Sequence, residues 1–309
     1  MTCVLVTGAT GMLGRQVVAR AVARGWKVVA ASRGGEAVAG AAGLALDLRD
    51  PASVAAVAGR EFDLIFHLGG PSITAGMSPV DLVEVFVLGT RRLLEAAATG
   101  RPRLVVAGSA AQYGLFPPAA NPIPESYPQR PVTAYGAAKA AQEIVALQET
   151  YAGTLKVVIG RIFNPVGPGS PAGLALADWA AQIARTERSP GGRVEVGNLA
   201  SRRDFVDVRD AAEALLVLAE RGEPGQAYNV CSGKSVAMGE ALDLLVRRAL
   251  HPVTVAPREA RRRALDLADI FGDTSRIAEL GWQARIDLAE SVDAMLSEAR
   301  IRLERVTAG

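Results

Sequence analysis

The run Cys3-Val4-Leu5-Val6-Thr7-Gly8-Ala9-Thr10-Gly11-Met12-Leu13-Gly14 decides how the chain is read. Apolar residues pass unbroken into a turn carrying Gly8, Gly11 and Gly14. The segment that follows, 12–24, has helical spacing, with Leu13, Val17, Val18, Ala21 and Val22 on one face. A buried strand that breaks into glycines and then a helix opens a dinucleotide-binding unit. The chemistry asks for the glycines: a pyrophosphate lies against bare backbone at the positive end of a helix, and a Cβ would hold it off. Thr10, Met12 and Leu13 belong to the same turn and are expected to face the cofactor. The spacing here is G-x-x-G-x-x-G, in place of the commoner G-x-G-x-x-G.

Working outward, length and composition set bounds. The 309 residues exceed the ~150 of a typical domain. We expect a Rossmann-type α/β domain over 1–165, completed by later segments near 200–232, and a smaller mixed α/β substrate domain over 166–309. Half of the residues are hydrophobic, enough for a substantial core, while 34 basic and 32 acidic side chains leave a net charge of +2. With aromatics at 5%, a nucleic-acid surface is not expected, since it would need a basic stripe or stacking rings. No run approaches the ~20 apolar residues of a membrane span. Met1 leads straight into the first strand, so no leader is expected and a cytoplasmic location is. Cys3 and Cys231 sit in strand-like contexts and read as small buried hydrophobes, and the two histidines lie far apart, so no metal site is expected.

Strand-like and helical runs then alternate. Strands are expected at 26–31, 44–47, 63–68 and 103–108, with helices at 51–58 and 79–98, the latter capped by Ser78 with Pro79 in its first turn. Such alternation means right-handed βαβ units and a doubly wound parallel sheet of about seven strands, with binding chemistry at the carboxyl ends of the strands. After the second strand come Ser32 and Arg33, with no acid before Glu36. An acid there usually meets a free ribose 2′-hydroxyl. Arg33 instead suits a 2′-phosphate, or is a solvated loop residue. NADP(H) is therefore favoured over NAD(H). Asp47, followed by Leu48, is placed to accept from the adenine amino group or to cap the helix at Pro51. Leu68 and Gly69 end the fourth strand where backbone must pass close to the cofactor. His67 beside them reads as a packed, hydrogen-bonded histidine more readily than an acid–base group.

The fifth strand ends at Ser109, which alone is an ordinary turn residue. Tyr135-Gly136-Ala137-Ala138-Lys139 raises its standing. Residues four apart share a helix face, so Lys139 sits one turn behind Tyr135. An ammonium there is expected to lower the phenol's pKa from its usual ~10 and to reach the nicotinamide ribose.

The glycine-rich turn, strand-end Ser109 and Tyr135-x-x-x-Lys139 together resemble the extended short-chain dehydrogenases/reductases, the NAD(P)-dependent epimerase/dehydratase group, over nearly the whole chain. That resemblance implies a Ser–Tyr–Lys mechanism. Ser109 and Tyr135 hydrogen-bond a substrate oxygen, and Tyr135 moves a proton while hydride passes to or from nicotinamide C4. Members that eliminate water carry an acid two positions beyond the Ser or Thr. Ala111 stands there, with Ala110 beside it, so a dehydratase is set aside.

In the second half, the run from Val196 to Asp210 followed by Asn229-Val230-Cys231-Ser232-Gly233 is most similar to members acting on GDP-linked mannose derivatives. By position the resemblance implies that Arg203 meets the diphosphate, that Asn164 touches the sugar–diphosphate region, and that Asn198 lies on the loop leading to Arg203. It implies that Arg263 and Asp266 hold the nucleoside, with Asp in place of the family's Glu. Arg263 also belongs to the basic run 261–263, the composition of a solvated face. Arg209 is either a substrate contact or an ion pair with Asp210. The implied activity is NAD(P)H-dependent reduction of a 4-keto-6-deoxy nucleotide sugar, GDP-linked favoured, by a homodimer or tetramer. The alternatives are a 4-epimerase holding NAD tightly and a non-enzymatic NADP(H)-sensing protein.

Overall fold

The computed structural model describes residues 1–188, 192–258 and 268–308. Six strands open the chain: β1 Cys3–Thr7, β2 Lys27–Ser32, β3 Ala42–Ala45, β4 Leu64–His67, β5 Arg103–Ser109 and β6 Lys156–Ile162. With the strand Ala227–Val230 they form one seven-stranded parallel sheet, ordered Ala227–Val230, β6, β5, β4, β1, β2, β3. Order reverses between β1 and β4, the switch point at which doubly wound sheets open a crevice.

The sheet is buried on both faces, which is why its central strands are continuous apolar runs. Val4 and Val6 pack beneath α1 (Met12–Ala23), while Leu5 points to the opposite face. There it meets a cluster that includes Val54 of α2 (Pro51–Val54). Further along the chain come α3 (Pro79–Val83), α4 (Gly89–Ala97), α5 (Ala134–Tyr151), α6 (Ala175–Thr186), α7 (Val208–Arg221), α8 (Met238–Val246), α9 (Ser275–Ala278) and α10 (Leu288–Ala308). Helix α7 packs beside α1 through Ala211, Leu215 and Leu218, and α4 and α5 cover the opposite face through Leu93, Leu94, Ala97 and Ala146. A separate core joins α6, α8 and α10, where Trp179, Ile183, Leu242, Leu245, Val292 and Leu296 are buried. Among the described residues no helix is long and apolar enough to cross a membrane.

Several local expectations are corrected. The third strand is 42–45 rather than 44–47, and the helix after it is capped by Asp50, which accepts from Ala52 N, not by Asp47. The helix expected over 79–98 is interrupted by a π turn at Glu84–Leu88. Such turns commonly mark functional sites, and this one aims Phe86 at α5, where its ring lies edge-on to Tyr135 at 5.6 Å between centroids. Arg209 pairs bidentately with Asp207 rather than Asp210, whose carboxylate instead accepts from Arg285 N and Ile286 N.

Candidate active site

The glycine turn is shaped by close approach. Gly8 has φ +67°, and a Cβ on it would meet Leu68 O at 2.8 Å; one on Gly14 would meet Gly8 O at 2.1 Å. The turn therefore lies flush against both β4 and α1. Gly11 is the N-cap of α1, bearing no side chain, and the first turn of α1 carries no acid. An uncapped, unshielded positive helix end suits an anion such as a pyrophosphate. Thr10, Met12 and Leu13 are partly exposed beside it.

At the end of β2, Ser32 is buried and Arg33 exposed. Here the structure departs from the expectation. The turn at 33–35 returns Glu36 onto Ser32, whose hydroxyl donates to the Glu36 carboxylate and accepts from Gly35 N at 3.0 Å. That bond holds the Glu36 carboxyl below its usual range, so an acid does stand at this strand end. Arg15 on α1, whose Nε donates to Thr10 O at 2.9 Å, also interacts electrostatically with Glu36 and was not singled out by the sequence. Asp47 is engaged by Arg49 through Nε at 3.3 Å and the guanidinium terminus at 3.0 Å, and Arg33 acts on it more weakly. Leu48 and Gly69 are buried and Leu68 half-buried.

Across the switch point, Ser109 ends β5 and caps a short 3-10 turn, 110–112. Its Oγ accepts from Ala111 N at 3.2 Å while its N–H donates to Gln112 Oε1 at 2.7 Å. Gln112 Nε2 donates in turn to the buried carboxylate of Glu143 at 2.7 Å, and Arg161 Nε binds the same oxygen at 3.0 Å. Ser109 is thus a turn-capping residue at the strand end where a site role was expected. Helix α5 starts at a Thr133 cap, which accepts from Gly136 N at 3.0 Å. A Cβ on Gly136 would stand 2.4 Å from Ala111 O. Only glycine lets the head of α5 settle on the turn after Ser109, and this brings Tyr135 near Ser109, whose hydroxyl acts on the phenol.

Lys139 is 5% exposed and does not follow the expected electrostatics. Its ammonium donates to Ala107 O and Gln142 Oε1 and lies 4.7 Å from the Phe86 ring centroid. Burial lowers its pKa to about 7, against the opposing pull of Glu143. The Tyr135 phenol is raised rather than lowered, because its own burial outweighs the opposing pull of Ser109. Gln112, Gln142 and Glu143 were missed by the sequence reading. The signal available for the last two was their position one turn beyond Lys139.

The profile of the NAD dependent epimerase/dehydratase family matches residues 4–231. The chain belongs to that family. GDP-6-deoxy-D-mannose reductase of Pseudomonas aeruginosa is 33% identical to it over 266 residues, 84% of this chain and 88% of that one. UDP-glucose 4-epimerase of Streptomyces lividans is 33% identical over 318 residues, 94% of each chain. The structure of RMD from Pseudomonas aeruginosa complexed with NADPH superimposes with a TM-score of 0.86 at 29% identity, covering 98% of this chain and 100% of that one.

In this epimerase/dehydratase chain the second-half candidates lie on short strands and loops. Asn164 Nδ2 donates to Asp204 O at 2.8 Å. Asn198 Oδ1 accepts from Ala200 N at 3.0 Å, turning the loop that leads to the strand Arg202–Arg203. Arg203 is half-buried and donates to Arg202 O at 2.7 Å. Its strand lies between Val236–Ala237 and Asp269–Ile270. The acids near it are structural: Asp204 accepts from Ser232 N, Ser232 Oγ, Gly233 N and Gly272 N, and Asp207 caps α7. Arg263 and Asp266 fall outside the described residues.

Proposed function

We propose that this protein reduces the 4-keto group of a 4-keto-6-deoxy sugar carried on a nucleoside diphosphate. GDP-4-keto-6-deoxy-D-mannose is the favoured substrate, giving GDP-D-rhamnose or its C4 epimer, with NADPH favoured over NADH. The observation that carries this reading is the meeting of Ser109 and Tyr135 over a buried Lys139, on the far side of the switch point from an uncapped glycine turn. When bound, a nicotinamide cofactor supplies the hydride. This chain's part is to orient the substrate and move the proton. Ser109 and the Tyr135 hydroxyl hydrogen-bond the carbonyl oxygen, and Tyr135 gives it a proton as the alcohol forms. Burial that raises the phenol's pKa suits that direction, because Tyr135 reaches the reaction still holding the proton it must donate.

On this reading Gly8, Thr10, Gly11, Met12, Leu13 and Gly14 would hold the pyrophosphate. Ser32 and Arg33 would meet the adenosine ribose, and Asp47 and Leu48 the adenine. Leu68, Gly69, Tyr135 and Lys139 would line the nicotinamide side. Asn164, Asn198 and Arg203 would face the sugar diphosphate, and Arg263 with Asp266 the base. Guanidinium–diphosphate pairing is bidentate, which supports Arg203 in that role.

The relatives named above support reduction of a GDP-linked sugar. Glu36 on Ser32 and the likeness to a UDP-glucose 4-epimerase favour the second reading, an epimerase that retains NAD. The deciding experiment supplies GDP-mannose, a separate 4,6-dehydratase and NADPH, and reads the product's C4 configuration by NMR. A deoxy sugar with stoichiometric NADPH loss is expected. Unconsumed NADPH, with NAD co-purifying on the protein, would replace the reductase by the epimerase.

A further inference from the structure

Behind Lys139 lies a buried polar chain that the reaction as described leaves unused. Thr90 Oγ1 donates its single proton to Phe86 O at 2.6 Å, so towards every other neighbour it only accepts. Two nitrogens approach it at 2.9 Å, Gln142 Nε2 and His67 Nε2. Both must be donors. The 3.3 Å approach of those two nitrogens is then a contact between donors and no hydrogen bond. His67 Nε2 thus carries a proton. The ring is 1% exposed, and burial, aided by the charge of Lys139, pushes its pKa down to about 3, so it is neutral and Nδ1 is an acceptor. Thr7 Oγ1, 2.8 Å away, donates to Nδ1, while its lone pairs accept from Leu68 N at 3.2 Å and Gly69 N at 3.0 Å. At the other end, the bond to Thr90 fixes the Gln142 carboxamide and turns Oε1 to the Lys139 ammonium.

Each hydrogen bond from Thr7 through His67, Thr90 and Gln142 to Lys139 has one available direction. We propose that Gln142, Thr90 and His67 are positioning residues that hold the Lys139 ammonium in register with the Thr7–Gly8 turn and the Leu68–Gly69 strand end. The inference rests on the reading of Lys139 as part of the active site. It links the two halves of that site through side chains whose partners are all buried. Sequence reading took His67 as packed and hydrogen-bonded, and the geometry gives that packing a direction.

Thr90→Val keeps the shape and removes the shared acceptor, and Thr90→Ser restores the hydroxyl. In the NADPH-bound protein, 15N NMR of the imidazoles reads the tautomer directly, with only exposed His251 to be told apart from His67. The wild type is expected to show neutral His67 protonated on Nε2. Thr90→Val is expected to shift the ring toward the Nδ1 tautomer, weaken NADPH several-fold and lower kcat about tenfold, with KM for the sugar nucleotide nearly unchanged. Thr90→Ser is expected to recover all three. An Nδ1-protonated or cationic ring in the wild type would overturn the proposal. So would NADPH affinity unchanged in Thr90→Val, or a loss that serine does not recover, which would mark plain packing. Tautomer and NADPH affinity need no turnover. A wild type that binds NADPH but reduces no nucleotide sugar therefore counts against the proposed reaction alone.

Discussion

Around the end of β5 and the first half of α5 the polar groups are buried or half-buried, and each bond leans on another. Ser109 is held by Gln112, Gln112 by Glu143, and Glu143 by Arg161. At the ends of β2 and β3 the polar contacts are short-range and lie nearer solvent: exposed Glu36 binds Ser32, half-buried Asp47 binds Arg49, and Arg33 is exposed. On the proposed function, the difference follows from what each region would do. Moving a proton needs fixed distances, which only interlocked buried groups maintain. Distinguishing one ribose from another needs a charge of the right sign at the rim, and a loop provides that without committing the core. The first region should therefore answer substitution with large losses of turnover, the second with modest shifts of preference.

The largest effect is expected at Tyr135. Tyr135→Phe removes the hydroxyl proposed as proton donor and keeps the ring edge-on to Phe86. The expected result is a kcat lower by ~10²–10⁴ with NADPH affinity intact. Near-normal turnover would show that the Tyr-x-x-x-Lys spacing is a coincidence of the helix. Gly136→Val comes next, since it touches no reacting group. Its Cβ would press on Ala111 O from 2.4 Å, so the head of α5 must lift from the Ser109 turn. We expect a stability loss of about 1–3 kcal/mol, read by urea unfolding, together with a large fall in kcat. A fall in stability without a fall in kcat would mean that this approach is not what seats Tyr135.

How far these regions were legible in the sequence follows from the range of their contacts. Val4, Leu5 and Val6 announce a strand buried on both faces, and Tyr135 and Lys139 announce a shared helix face, because both patterns repeat over a few residues. The direction in which Lys139 points was not legible. It depends on Ala107 and Gln142, brought in by the sheet and by the packing of α5. Likewise the acids between 203 and 210 look like a substrate motif. In the fold Asp204 binds 232, 233 and 272, and Asp207 accepts from Ser291 Oγ at 2.6 Å. Even the short-range return of Glu36 escaped, since it requires a turn whose geometry the residues 33–35 permit without demanding.

The smallest effects are expected at that return, and they bear most directly on the contrast between the two regions. On the proposed function Arg33 and Glu36 would give the rim opposite leanings, one towards a 2′-phosphate and the other towards a free 2′-hydroxyl. Arg33→Ala should weaken NADPH by about tenfold, the low end of a charge-assisted contact because Arg33 is exposed, and leave NADH nearly unchanged. Glu36→Gln keeps an acceptor for Ser32 and removes the negative charge. It should strengthen NADPH only a few-fold, because the carboxylate is exposed and screened, and weaken NADH slightly. Fluorescence titration of both cofactors against both variants measures this, and neither substitution should alter kcat at saturating cofactor. If Arg33→Ala costs NADH as much as NADPH, Arg33 is not reading the phosphate, and Arg15, which acts on Glu36, becomes the cation to test. If instead kcat falls at saturation, the rim is mechanically coupled to the buried chain behind Lys139. The division between a fixed proton-moving region and an exchangeable reading region would then not hold.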